Sequence, residues 1–124
     1  MKEGIYKFDF DLYYGNICGT FIANDEDIKL LENNKISVYF GEVLGKHSEV
    51  SVIIEPGDFH LLTDDQEVIK VFKEYEMYCG YNPFDQTICS YEMEIPSEVI
   101  EKCPKDGYLS DLTVQEYIEI LKLC

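Results

Sequence analysis

Between Ile5 and Leu12 the chain reads IYKFDFDL. Tyr6, Phe8, Phe10 and Leu12 alternate with Lys7, Asp9 and Asp11. A period of two belongs to a strand with one face in a core and the other in water; a helix would scatter the same rings around its axis. Residues 4–13 are therefore expected as a half-buried strand, and the domain must supply something to cover its aromatic side. Gly15-Asn16 follows, a pair suited to the positive φ of a tight hairpin. Residues 17–23 return as a second strand, with Gly19 marking a bulge or a close approach of backbone.

The remaining chain continues in hairpins and short helices. Asn24 or Asp25 caps a short helix with Ile28 and Leu31 on its apolar side, and Asn33-Asn34 is suited to close it in a left-handed conformation. Residues 36–44 and 49–55 read as a long hairpin around a Gly45–Ser48 loop, and Pro56-Gly57 fits the centre of a type II turn. A strand over 58–62 precedes Thr63-Asp64-Asp65-Gln66, a capping box for a helix with Val68, Ile69, Phe72 and Tyr75 inward. Residues 80–87 read as loop. The alternation of Tyr91, Met93 and Ile95 with Glu92 and Glu94 predicts another strand, and Ser97 caps a helical turn that must end before Pro104. Lys105-Asp106-Gly107 is a turn. Thr113 and Glu116 form a second capping box, opening a last helix with Val114, Tyr117, Ile118 and Leu121 inward.

The 124 residues suit one domain over 1–124. A chain of that size buries roughly two-thirds of its unfolded surface, enough for a core. An apolar fraction of 46%, with 10 Tyr and 7 Phe, excludes a disordered acidic tail. The expected class is α+β: a mainly antiparallel sheet built from hairpins, with two longer and one or two short helices packed on one face. Five cysteines, at 18, 79, 89, 103 and 124, form no CxxC, and the N-terminus has no signal-peptide h-region. Free thiols in a reducing cytoplasm are expected, with Cys18 and Cys103 as small core residues and Cys124 exposed. No apolar run reaches the length of a membrane span.

Charge is the strongest functional signal. There are 25 acidic residues against 10 basic ones, all lysine, for a formal net charge of -15. Such a chain repels nucleic acid and anionic membranes, which are bound by Lys and Arg displacing counterions. Its field steers it instead toward a basic partner.

The motifs for catalysis and cofactors are weak. Lys46-His47-Ser48-Glu49 places an imidazole beside a hydroxyl, but adjacent residues of an extended chain point to opposite faces, and no GxSxG elbow surrounds Ser48. It reads as a hairpin tip whose Lys46 and His47 make specificity contacts. His47, His60, Cys79 and Cys89 would suffice in number for zinc, yet their spacings are far from those of structural zinc pairs, so no metal is expected. Asp9/Asp11, Asp25/Asp27 and Glu92/Glu94 are carboxylate pairs; in a strand such pairs lie about 7 Å apart, but with so many acids they arise as solvated faces. GEVLGK at 41–46 is too short for a P-loop. No cofactor is expected.

The expectation is a non-enzymatic binding protein that occupies a basic, nucleic-acid-binding surface of another protein. In size and charge, though in no motif, the chain resembles the small acidic inhibitors that phages direct against bacterial nucleases, such as anti-CRISPR proteins, and the immunity proteins of nuclease toxins. Candidate contact residues are Glu92, Glu94, Glu98 and Glu101 in one patch and Asp64, Asp65 and Glu67 in another. The alternative is a small-molecule or nucleotide-binding domain, an enzyme among the options, with a pocket near His47 and His60.

Overall fold

The computed structural model describes residues 2–12, 15–41, 49–103 and 111–124. Strands β1 (Glu3–Leu12) and β2 (Gly15–Asn24), ten residues each, form the hairpin that organises the domain, paired from Glu3 with Asn24 to Leu12 with Gly15. Gly15 and Asn16 thus belong to the second strand rather than to the turn expected there. Helix α1 (Asp25–Asn33) follows directly, then β3 (Ser37–Gly41), β4 (Val50–Ile53), β5 (His60–Thr63), helix α2 (Gln66–Glu74), and the two-residue strands β6 (Cys79–Gly80) and β7 (Thr87–Ile88). Helices α3 (Ser97–Glu101) and α4 (Val114–Lys122) complete the chain.

The class is α+β, and every strand pairing among the described residues is antiparallel. The strands divide into two sheets, in the orders β5-β1-β2-β6 and β4-β3-β7. Between them lies an aromatic core. Phe8 packs edge-on to Phe21 and Phe59, with Phe40 6.2 Å away on the second sheet, and Phe84 meets Phe21 at 5.9 Å. Such tilted and T-shaped pairs suit the ring quadrupole and add to area burial. α1 supplies Ile28 and Leu31 to this core, and α4 supplies Val114, Tyr117, Ile118 and Ile120.

The sequence predicts the helices on one face; instead they divide between two, because β1 and β2 carry apolar residues on both sides of their sheet. α2 lies across the opposite side of the four-stranded sheet, where Ile69 and Phe72 bury Ile5 and cover Ile22. Neighbouring residues of β1 serve the two cores in turn, Ile5 under α2 and Tyr6 in the aromatic core. Val68 and Tyr75, expected inward, are exposed.

Local chemistry explains the element ends. Asn24 stands at the cap of α1. The left-handed residue after that helix is Lys35 (φ 49°), not Asn33 or Asn34. Pro56-Gly57 forms the expected turn: Asp58 N–H donates to Glu55 C=O at 3.1 Å and Gly57 has φ 93°. Thr113 and Glu116 form the expected capping box. At α2 the cap is Asp65 rather than Thr63, because Thr63 is the last residue of β5 and is held in pairing with Ile5. Ser97 is likewise the first residue of α3, after Pro96, rather than its cap.

The segment read as loop, 80–87, is bounded by the two short strands, which take only its end residues Gly80 and Thr87. Gly19 lets β6 in: a Cβ there would collide with the Tyr81 carbonyl, and one on Gly80 (φ 69°) would meet Cys18 C=O. Residues 90–92 form a 3-10 turn instead of a strand. Met93 and Ile95 still pack on the core, but Tyr91 points outward and is 81% exposed. Among the described residues no helix is long and apolar enough to cross a membrane.

Candidate functional site

The acids expected to make one patch play different parts. Glu92 is a hub for the outer face of the three-stranded sheet. Alternation turns Val38 and Phe40 into the core and leaves Ser37 and Tyr39 on the other side, with Ser51 paired opposite Tyr39. The 3-10 turn brings Glu92 over this face. Ser51 Oγ donates to Glu92 Oε1, Ser37 Oγ donates to Oε2 at 3.5 Å, and Cys89 Sγ donates to Oε1 at 3.4 Å. Burial pushes the Cys89 thiol pKa up, and the neighbouring Glu92 carboxylate pushes it further. Cys89 is therefore held as a protonated donor, the opposite of what a nucleophilic cysteine requires.

Glu94, Glu98 and Glu101 are exposed, and among the described residues none is ion-paired. Glu98 and Glu101 lie three apart in α3 and share a flank. The nearby Lys102 is occupied by the Leu123 carbonyl. Glu92 and Glu94 border one depression of about 340 Å³ with Asn33, Asn34, Lys35 and Ile53.

The second group is committed in large part to local structure. Asp64 pairs with Lys2 at 3.0 Å, and Asp65 accepts from Glu67 N–H at 2.9 Å as the cap of α2. Of these three acids, Glu67 alone is exposed and has no side-chain partner among the described residues. This group sits at the start of α2, beside the four-stranded sheet, whereas Glu92 and Glu94 sit over the other sheet. Lys46 and His47, with Ser48, lie outside the described residues.

His60 belongs to a different surface. Strand register places His60, Lys7, Thr20 and Cys79 in one row across the half of the four-stranded sheet that α2 leaves open. Asp9 and Cys18 join them around an open depression of about 350 Å³. Cys18, expected in the core, is exposed because even-numbered residues of β2 face this side. Cys103 is partly buried against the core and Cys124 is exposed. His60 and Cys79 share the depression, but Cys89 is buried elsewhere, so the zinc set is not assembled. Among the described residues no group of three or more His, Cys, Asp or Glu side chains could hold a metal.

The other carboxylate pairs do not converge either. Asp9 accepts from Asn16 Nδ2 at 3.0 Å. Asp25 is held below its ordinary pKa mainly by the Lys2 backbone N–H that it accepts. Asp27 is buried and paired with Lys122 at 2.6 Å.

Sequence reading missed the Glu92 hub. Its signal was present in the serines that alternate with Val38 and Val52 at 37 and 51, but the partner arrives from a turn about 40 residues away in the chain. Comparison with known proteins finds no matching family model, no matching curated protein and no matching solved structure.

Proposed function

We propose that this chain is a non-enzymatic binding protein that occupies a basic, nucleic-acid-binding surface of another protein, in the manner of small acidic phage anti-defence or immunity-type inhibitors. The observation that supports the reading is the set of free carboxylates on the 94–101 segment: Glu94, Glu98 and Glu101 are exposed with no lysine partner among the described residues. Glu92 holds the start of that segment to the sheet through Ser37, Ser51 and Cys89, so it acts as an anchor for the patch. Tyr91 beside it offers an exposed ring, the kind of side chain favoured at interfaces. The carboxylates compete with phosphates for Lys and Arg on the target, and affinity falls as salt screens the field.

The test is capture of a basic nucleic-acid-binding protein at low salt and its release at about 0.5 M salt, where the Debye length is only a few ångströms. The triple substitution Glu94→Gln, Glu98→Gln, Glu101→Gln should abolish capture; unchanged capture sinks this reading. The alternative of a small-ligand site draws on the depression bordered by His60, Lys7 and Cys79. A ligand that shifts the His60 ring resonances, and whose binding is lost in His60→Ala, would favour it.

A further inference from the structure

Seven of the eleven large apolar side chains exposed among the described residues fall between Leu61 and Tyr78. Scattered single residues of this kind need no explanation, but several on one flank of one element mark an interaction surface. Within it, Val68, Val71 and Tyr75 lie at i, i+3 and i+7 along α2 and the residue that closes it, and are 45%, 46% and 70% exposed. Helical spacing puts them on one flank. The opposite flank is already used, by Lys73 reaching Glu3 at 3.0 Å, and the face between is the one that Ile69 and Phe72 bury. α2 thus carries two apolar faces, one packed on the sheet and one open.

We propose that this open flank is the docking site for a basic amphipathic helix of a partner protein. The spacing of Val68, Val71 and Tyr75 makes the ridge that packs against another helix, and it spans about 10 Å, two turns. Charge complementarity selects the partner. Glu67 and Glu74 lie four residues before and three after Val71, along the solvent edge of the stripe, and neither is ion-paired among the described residues. Lysines or arginines flanking the partner's apolar positions would meet them. A second copy of the chain would bring two charges of -15 together, and an anionic lipid surface would be repelled. The inference rests on the binding-protein reading and adds to it a second contact surface, on the four-stranded sheet's side of the domain, whereas Glu92 and Glu94 sit over the other sheet; Tyr75 is its aromatic anchor, the kind of side chain enriched at the centre of interfaces.

The test uses two synthetic peptides of the same Leu and Lys composition. One has Leu at i, i+3, i+4 and i+7; the other is shuffled so that it has no apolar face. Titrated into isotope-labelled protein, the patterned peptide should shift the α2 amide resonances and bind at least about tenfold more tightly than the shuffled one. Val71→Ser with Tyr75→Ser should remove that preference while leaving the spectrum dispersed, and Glu67→Lys with Glu74→Lys should weaken both peptides. Equal binding of the two peptides, shifts that avoid α2, or indifference to Val71→Ser/Tyr75→Ser would overturn the proposal. The 94–101 amide variant separates the two readings. If it abolishes partner capture while α2 stays silent, the acidic-patch reading stands and the α2 site falls. If α2 responds and the amide variant captures partner normally, the reverse holds.

Discussion

α2 and α4 are each nine residues long, each capped by a side chain and each amphipathic in sequence, yet they end in different circumstances. α4 buries Val114, Tyr117, Ile118 and Ile120. It is tied to the residue preceding β7 by Val114 N–H donating to Gln86 C=O at 2.7 Å, and to α1 by the Lys122–Asp27 pair. α2 buries only Ile69 and Phe72 and turns three more apolar side chains outward. The difference shows that a good amphipathic pattern states how many apolar residues a helix has, not how many the fold will cover.

The largest effect should separate the two helices directly. Tyr117→Ala empties a site that is 1% exposed and should cost about 3–5 kcal/mol, measured by denaturant unfolding. Tyr75→Ala, on the open flank, should stay within about 0.5 kcal/mol. Comparable losses for the two would erase the contrast.

Next comes the Asp27–Lys122 pair, which ties α1 to α4. Lys122→Met leaves the Asp27 carboxylate buried without its partner and should cost about 1–3 kcal/mol at neutral pH. The pairing raises the Lys122 pKa above its ordinary 10.5, chiefly through the hydrogen bond to Asp27. A group raised on folding stabilises fully below its unfolded pKa and loses that contribution as pH rises through the folded value. The native chain should therefore lose stability from above pH 10.5 in a way that Lys122→Met does not; parallel pH profiles of the two proteins would contradict this.

The caps should differ more finely. Thr113→Ala breaks a reciprocal box and should cost about 1 kcal/mol or somewhat more, and Asp65→Ala, which breaks a one-way cap, about 1 kcal/mol or less. Thermal melts of both variants would rank them. Smallest of all, Glu98→Gln and Glu101→Gln should change stability by less than about 0.5 kcal/mol in unfolding titrations. Any loss of partner binding in those variants then reads the surface itself rather than a damaged fold.

Much of the architecture was legible because it follows from periodicity and from strong local chemistry. The rings from Tyr6 to Leu12, the Pro56-Gly57 turn and the Thr113 box each depend on a few adjacent residues, and each was found where expected. The misses share a cause. Thr63 could cap a helix, but strand pairing claims it first. Tyr91 to Ile95 alternate like a strand, but Cys89 N–H is taken by Ser37 C=O and Glu92 by two serines, which closes the segment into a turn. Cys18 has the composition of a core residue and the parity of a surface one.

Within the candidate site, the excess of carboxylates was visible in the composition, while their division into anchors, caps and free groups was not. Glu92, Asp65 and Glu98 are alike in sequence context, all acids in acidic stretches. One receives three donors, one caps a helix, and one faces water without a partner among the described residues. By itself the sequence determined the charge, the antiparallel α+β character and the positions of the main helices along the chain, because these arise from composition and from spacings within a turn or two of chain. Only the tertiary structure decided which flank of α2 stays uncovered and which acids remain free, because burial and hydrogen bonding depend on partners that arrive from distant parts of the chain.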